Sequence, residues 1–188
     1  MVKAFVIYDS KYGNTKLAGE AVVEGLKEVE GIETSIGYVK EIDIGSLADY
    51  DAIVLGAPNH MGRPSQTMKK FVNSLAKIDL KEKKIAVFGT YSGRQRDPDR
   101  AVKKLGKMVE NKLPNLKLIS PNLSIRVKGI PGPLIVGELT KCKDIGRRIA
   151  ISYNSVTIEQ AVPAHNLGKQ TIDKTVHYTA RSPRNGLK

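Results

Sequence analysis

The residues Ala4-Phe-Val-Ile-Tyr-Asp-Ser-Lys-Tyr-Gly-Asn-Thr15 run straight into an amphipathic segment, 16–29. The order reads as a buried strand, a loop of small and hydroxyl-bearing residues, then a helix. It aims hydroxyls and backbone N–H groups at one point above a helix N-terminus. Such a point binds a phosphate without lysine or arginine, because orphan N–H donors and the helix dipole supply the positive field. The candidate donors are Ser10, Thr15 and the backbone of Lys11, Tyr12, Gly13 and Asn14. Gly13 lets the loop turn tightly around the group.

Two common phosphate motifs are absent. No G-x-x-x-x-G-K-[ST] occurs, which argues against a P-loop NTPase, and no G-x-G-x-x-G follows the first strand, which argues against a dinucleotide-binding Rossmann site. A receiver domain needs an aspartate at the end of its third strand. Here that strand ends in Gly56-Ala57-Pro58.

The elements that must position this loop alternate regularly. Apolar runs at 2–8, 52–56 and 85–88 read as strands covered on both faces, with a weaker strand at 33–39. Residues 116–119 and 123–127 read as a fifth strand interrupted at Ser120-Pro121-Asn122. Helical faces are formed by Leu17, Ala18, Ala21, Val22, Leu26 and Val29; by Met68, Phe71, Val72 and Leu75; by Ala101, Val102, Leu105, Met108 and Val109; and by Leu139, Cys142, Ile145 and Ile149. Pro64 suits a first helical turn, and Asp97 suits an N-cap before Pro98. Strands alternating with helices specify an α/β doubly wound parallel sheet with helices on both faces. Ligands of such sheets bind beyond the carboxyl ends of the strands. The loops 9–15, 57–63 and 89–95 would converge there.

Bulk properties set the frame. The 188 residues suffice for one α/β domain. No run approaches the roughly 18 apolar residues of a membrane span, and the N-terminus lacks a signal-peptide layout. A cytoplasmic protein is the expectation. The single cysteine, Cys142, excludes an internal disulfide or a CxxC motif and reads as a core thiol. The net charge is +12, spread along the chain, and attracts acidic proteins, nucleic acid or anionic surfaces. Residues 151–188 have sparse, aperiodic apolar positions and read as a basic tail, disordered or loosely packed.

Taken together, the loops resemble those of the flavodoxin family. Asp9-Ser10-Lys11-Tyr12-Gly13-Asn14-Thr15 is similar to its FMN phosphate loop, Gly56-Ala57-Pro58 to its second turn, and Gly89-Thr90-Tyr91-Ser92-Gly93 to its third FMN loop. Tyr12 stands where a small Ser or Thr is common, and this form is closer to the flavodoxin domain of the A-type (diiron) flavoproteins. The segments 118–129 and 138–147 resemble the end of those domains. The resemblance covers residues 2–150 and implies a five-stranded sheet of order 2-1-3-4-5. With only three histidines, His60, His165 and His177, a diiron module is not expected, so the resemblance implies a stand-alone flavodoxin-like protein.

The resemblance also implies roles. FMN would be held by Ser10 through Thr15, by Pro58, Asn59, His60, Met61 and Gly62, and by Thr90, Tyr91, Ser92, Gly93 and Arg94. Tyr91 is the stacking candidate, in a chain without tryptophan, and His60 or Met61 takes the other flavin face. Gly62 would permit the peptide reorientation that stabilises the semiquinone in flavodoxins. Arg94 and Arg63 would offset charge on reduced flavin.

Three functional readings follow. The first is an electron carrier that shuttles electrons between protein partners through FMN semiquinone and hydroquinone, its redox partner carrying an acidic docking surface. The second is an FMN-dependent NAD(P)H:quinone or porphyrinogen-type oxidoreductase. The third is a flavin-free binding module; nucleic acid fits it poorly, since aromatics are 5% and the cations are scattered.

Overall fold

The computed structural model describes residues 1–80, 82–93, 96–119 and 123–161, with side chains described as far as Tyr153. Strands β1 (Val2–Tyr8), β2 (Ile32–Tyr38), β3 (Ala52–Pro58) and β4 (Lys84–Ser92) pair in parallel, followed by the short strands β5 (Lys117–Leu118) and β6 (Leu123–Val127). The sheet order is β2-β1-β3-β4-β5, with β6 also pairing β4. The interrupted fifth strand is thus two short strands laid end to end on one edge: β5 takes Lys84 and Ile85, and β6 takes Phe88 to Ser92.

Side chains alternate across the sheet, as a pleat requires. Ile7, Ile53, Leu55, Ile85 and Val87 face α2 (Gln66–Leu75) and α3 (Arg100–Lys112), meeting Met68, Phe71, Val72, Leu75, Val102 and Leu105. Ala4, Val6, Val54, Ala86 and Phe88 face α1 (Asn14–Lys27) and α4 (Glu138–Ala161), meeting Ala18, Val22, Leu26, Cys142 and Ile149. On that side α1 and α4 cross at contact distance. A Cβ on Gly25 would enter the backbone of Lys143, and one on Gly146 the backbone of Val22.

Four local expectations are corrected. Leu17 and Leu139 are 49% and 40% exposed, because they sit in the first turns of α1 and α4, above the sheet edge. Helix α2 starts after Ser65, whose hydroxyl accepts from the Met68 N–H, while Pro64 bridges back to Asn59. Helix α3 starts at Arg100 rather than beside Asp97, whose carbonyl accepts from the Arg100 N–H. Helix α4 continues past residue 150 to Ala161. Residues 162–188, the rest of the expected tail, lie outside the described residues, as do Arg94 and Ser120-Pro121-Asn122.

Candidate functional site

All strands of the parallel sheet end on one side, and the connections beyond β1, β3, β4 and β6 meet there. They line an open cleft. Of the residues read from sequence, Ser10, Lys11, Tyr12, Asn14, Thr15, Pro58, Asn59, His60, Thr90, Tyr91 and Ser92 line it. Gly13, Met61, Gly62 and Gly93 lie in the same loops but not in its wall, and Arg94 is outside the described residues.

The loop after β1 leaves backbone donors without acceptors among the described residues. Gly13 has φ +84 and makes no side-chain cap on α1, whose first turn carries no acid. The backbone N–H groups of Ser10, Lys11, Tyr12 and Gly13 have no hydrogen-bond acceptor among the described residues. The first-turn N–H groups of α1 are orphaned by helix geometry. A backbone in this condition needs an acceptor, and a phosphate supplies one. Open space surrounds the Cβ position of Gly13, so its glycine is required by φ alone.

The second loop is a tight reversal. His60 N–H donates to the Arg63 carbonyl at 2.8 Å, and Arg63 N–H returns the bond to His60 at 3.1 Å. Met61 and Gly62, at φ 53 and φ 77, are the central residues of a type I′ turn. Asn59 uses its side chain to hold this turn, its Oδ1 accepting from the Gly62 N–H at 2.7 Å. The turn leaves Met61 97% exposed and His60 at the cleft. The third loop is fastened to the second by Asn59 N–H donating to the Thr90 carbonyl, and to the first by the buried hydroxyl pair Thr15 and Thr90. Tyr91, half-buried, is thereby held in the cleft wall.

A fourth wall was not foreseen. Val127, Gly129, Ile130 and Pro131 close the cleft beside the phosphate-type loop, and the Asn14 side-chain amide donates to the Pro131 carbonyl. The clustered glycines and prolines after the last strand, Gly129-Ile-Pro-Gly-Pro133, were the available signal. Behind this loop the Glu138 carboxylate accepts from the Arg126 N–H and pairs with Lys141 at 2.7 Å. That contact holds the Lys141 ammonium above the usual lysine value. Cys142, one turn on, is fully buried, and desolvation pushes its thiol up to about 12. It is a core thiol and no nucleophile.

A family model of the flavodoxin domain matches residues 5–118. The chain belongs to the flavodoxin family. It is similar to a flavodoxin of Aquifex aeolicus, at 37% identity over 75 residues that make up 40% of each chain. It is similar also to the type A flavoprotein fprA of Rhodobacter capsulatus, at 29% identity over 149 residues, 77% of this chain and 32% of that relative. It therefore spans well under half the length of these curated relatives. In fold it resembles a flavodoxin from the domain Archaea, with a TM-score of 0.69 and 23% identity, over 81% of this chain and 99% of the other. The family binds flavin. Among the described residues, no three His, Cys, Asp or Glu side chains are grouped as metal ligands, and no helix is long and apolar enough to cross a membrane.

Proposed function

We propose that the chain binds FMN in this cleft and carries electrons for a protein partner. The observation that supports it most is the run of unpaired amides, Ser10 to Gly13, at the uncapped N-terminus of α1, opening into a cleft also lined by Tyr91 and His60. Bound FMN would supply one- and two-electron redox chemistry.

The protein's own residues would do the rest. The Ser10 hydroxyl and the loop amides would hold the phosphate. Thr15 would add a hydroxyl if Thr90 donates to it. Tyr91 and His60 would flank the ring system and exclude water. The Gly62 N–H, now bonded to Asn59, and the Arg63 charge would tune the field at the ring. The partner would be a redox protein with an acidic docking face, since a basic protein selects for one. Purified protein should be yellow and should take up electrons in an anaerobic reductive titration. Colourless protein that ignores added FMN would sink this reading.

A further inference from the structure

Two groups of described cations differ in their surroundings. On the face formed by α1 and α4 two cations bridge to carboxylates across the helix crossing: Lys143 to Glu24 at 2.6 Å and Arg147 to Glu28 at 2.5 Å, with Asp144 on Arg147 at 2.7 Å. Around the 59–64 turn, Arg63, Lys69, Arg100 and Lys104 pair with no carboxylate among the described residues. The four are close neighbours. Arg100 packs its stem against Gly62, where a Cβ would lie 2.8 Å from Arg100 Cδ. Desolvation, then Arg100, Arg63 and Lys69, push the Lys104 ammonium below its ordinary value. Like charges gathered this way raise a positive field that an anionic surface would relieve.

The cluster adjoins the cofactor cleft. An open groove of about 1080 Å³ runs beside the cleft, lined by Lys11, Lys40, Arg63 and Lys69, and shares Ser10, Lys11, Pro58 and His60 with it. Met61, almost wholly exposed at the tip of the type I′ turn, directly precedes Gly62, against which Arg100 packs, and lies two residues before Arg63. An exposed apolar residue beside clustered charge fits the anatomy of a protein interface. A small anion in the groove would leave Arg100 and Lys104 unused, since neither lines it. A nucleic-acid backbone would meet Met61 with phosphate, whereas an acidic protein face also offers apolar side chains.

We propose that this face, the cluster of Arg63, Lys69, Arg100 and Lys104 beside the exposed Met61 turn, is the docking surface for the acidic face of a small redox protein. That the occupant is a redox protein rests on the flavin reading; the position of the surface does not. Docking here would place the partner over the His60 side of the cleft.

The test is calorimetric titration of the full FMN-loaded chain with an acidic plant-type 2Fe–2S ferredoxin. Binding should weaken about tenfold between low and physiological salt, as charge-steered contacts do. Lys69→Glu with Lys104→Glu should weaken it by at least about tenfold at low salt, the scale of two exposed like-charge contacts. Neither residue lines the cofactor cleft, so the flavin content should be unchanged. Lys27→Glu with Lys143→Glu makes the same charge change on the α1–α4 face and should leave binding within about twofold. The proposal is overturned if wild type does not bind the ferredoxin, if both double variants lose binding equally, or if single-stranded oligodeoxythymidine binds more tightly. A chain that retains no FMN defeats the flavin reading instead, and the same titration still reports on the surface.

Discussion

The hydroxyl oxygens of Thr15 and Thr90 lie 2.9 Å apart in the interior, joining the first turn of α1 to the end of β4. One must donate to the other. If Thr90 donates, the Thr15 proton stays available to an anion at the helix N-terminus, and the third loop orients the first. Thr90→Val removes that donor at nearly constant shape. A single net hydrogen bond is worth about 1 kcal/mol, so FMN affinity should fall roughly fivefold. Quenching of flavin fluorescence on titration measures it. An unchanged dissociation constant would mean that Thr15 donates to Thr90 and does not serve the phosphate.

The two halves of the ligand separate in a second experiment. Ser10→Ala should weaken FMN by about tenfold and leave riboflavin, which lacks the phosphate, unaffected, since hydrogen bonds to charged groups contribute about 1.5–3 kcal/mol. Tyr91→Ala should weaken FMN and riboflavin alike, by roughly tenfold, through lost ring contact. Equal loss of both ligands in the Ser10 variant would show that the loop after β1 holds something other than the phosphate.

Much of this arrangement was legible in sequence, for a physical reason. Strands buried on both faces are nearly continuous apolar runs, so β1 and β3 stand out, and three chemistry-bearing loops sit directly after such runs. What escaped notice depends on contacts distant in sequence. Gly129–Pro133 has no side chain that does chemistry; it is folded back by the Val127–Leu134 bridge and the Lys128–Pro133 hydrogen bond and is met by Asn14 from a distant part of the chain. Leu17 and Leu139 have helical spacing, but spacing does not say where a helix rises above the sheet. Residues 151–161 are helical without a regular apolar stripe, so their helix left no periodic trace.

The Asn14 contact has its own test. Asn14→Ala should leave the fold intact but release the 129–133 loop, raising its amide hydrogen exchange and its cleavage by proteases. FMN affinity should drop by less than about tenfold, since one neutral hydrogen bond is lost. If exchange in that loop is unchanged while affinity collapses, Asn14 acts on the ligand rather than on the wall.

The α1–α4 crossing predicts a larger effect. A methyl at Gly146 meets backbone atoms of Val22 and Leu26, which cannot rotate away as a side chain would. Gly146→Ala should therefore cost about 2–3 kcal/mol, at the upper end of overpacking penalties, despite alanine's better helix propensity. Urea denaturation gives the value. A neutral or stabilising substitution would mean that the helices pack further apart than described.

Cys142 supplies a pH dependence with a definite sign. Its thiol is fully buried, donates to the Glu138 carbonyl at 3.4 Å, and is pushed up to about 12 by desolvation. The unfolded chain ionises its thiol near the ordinary value of about 8.5. Between these values the unfolded state has lost a proton that the native state keeps. Stability from this residue is therefore intact below about pH 8 and falls above it, by up to about 1.4 kcal/mol per pH unit. The difference in unfolding free energy between wild type and Cys142→Ala should be flat from neutral pH to about 8 and shift against wild type at higher pH. Native protein should also resist thiol alkylation at pH values where the urea-unfolded chain reacts at once. A thiol that reacts equally fast in both states would place Cys142 at the surface and remove the pH dependence with it.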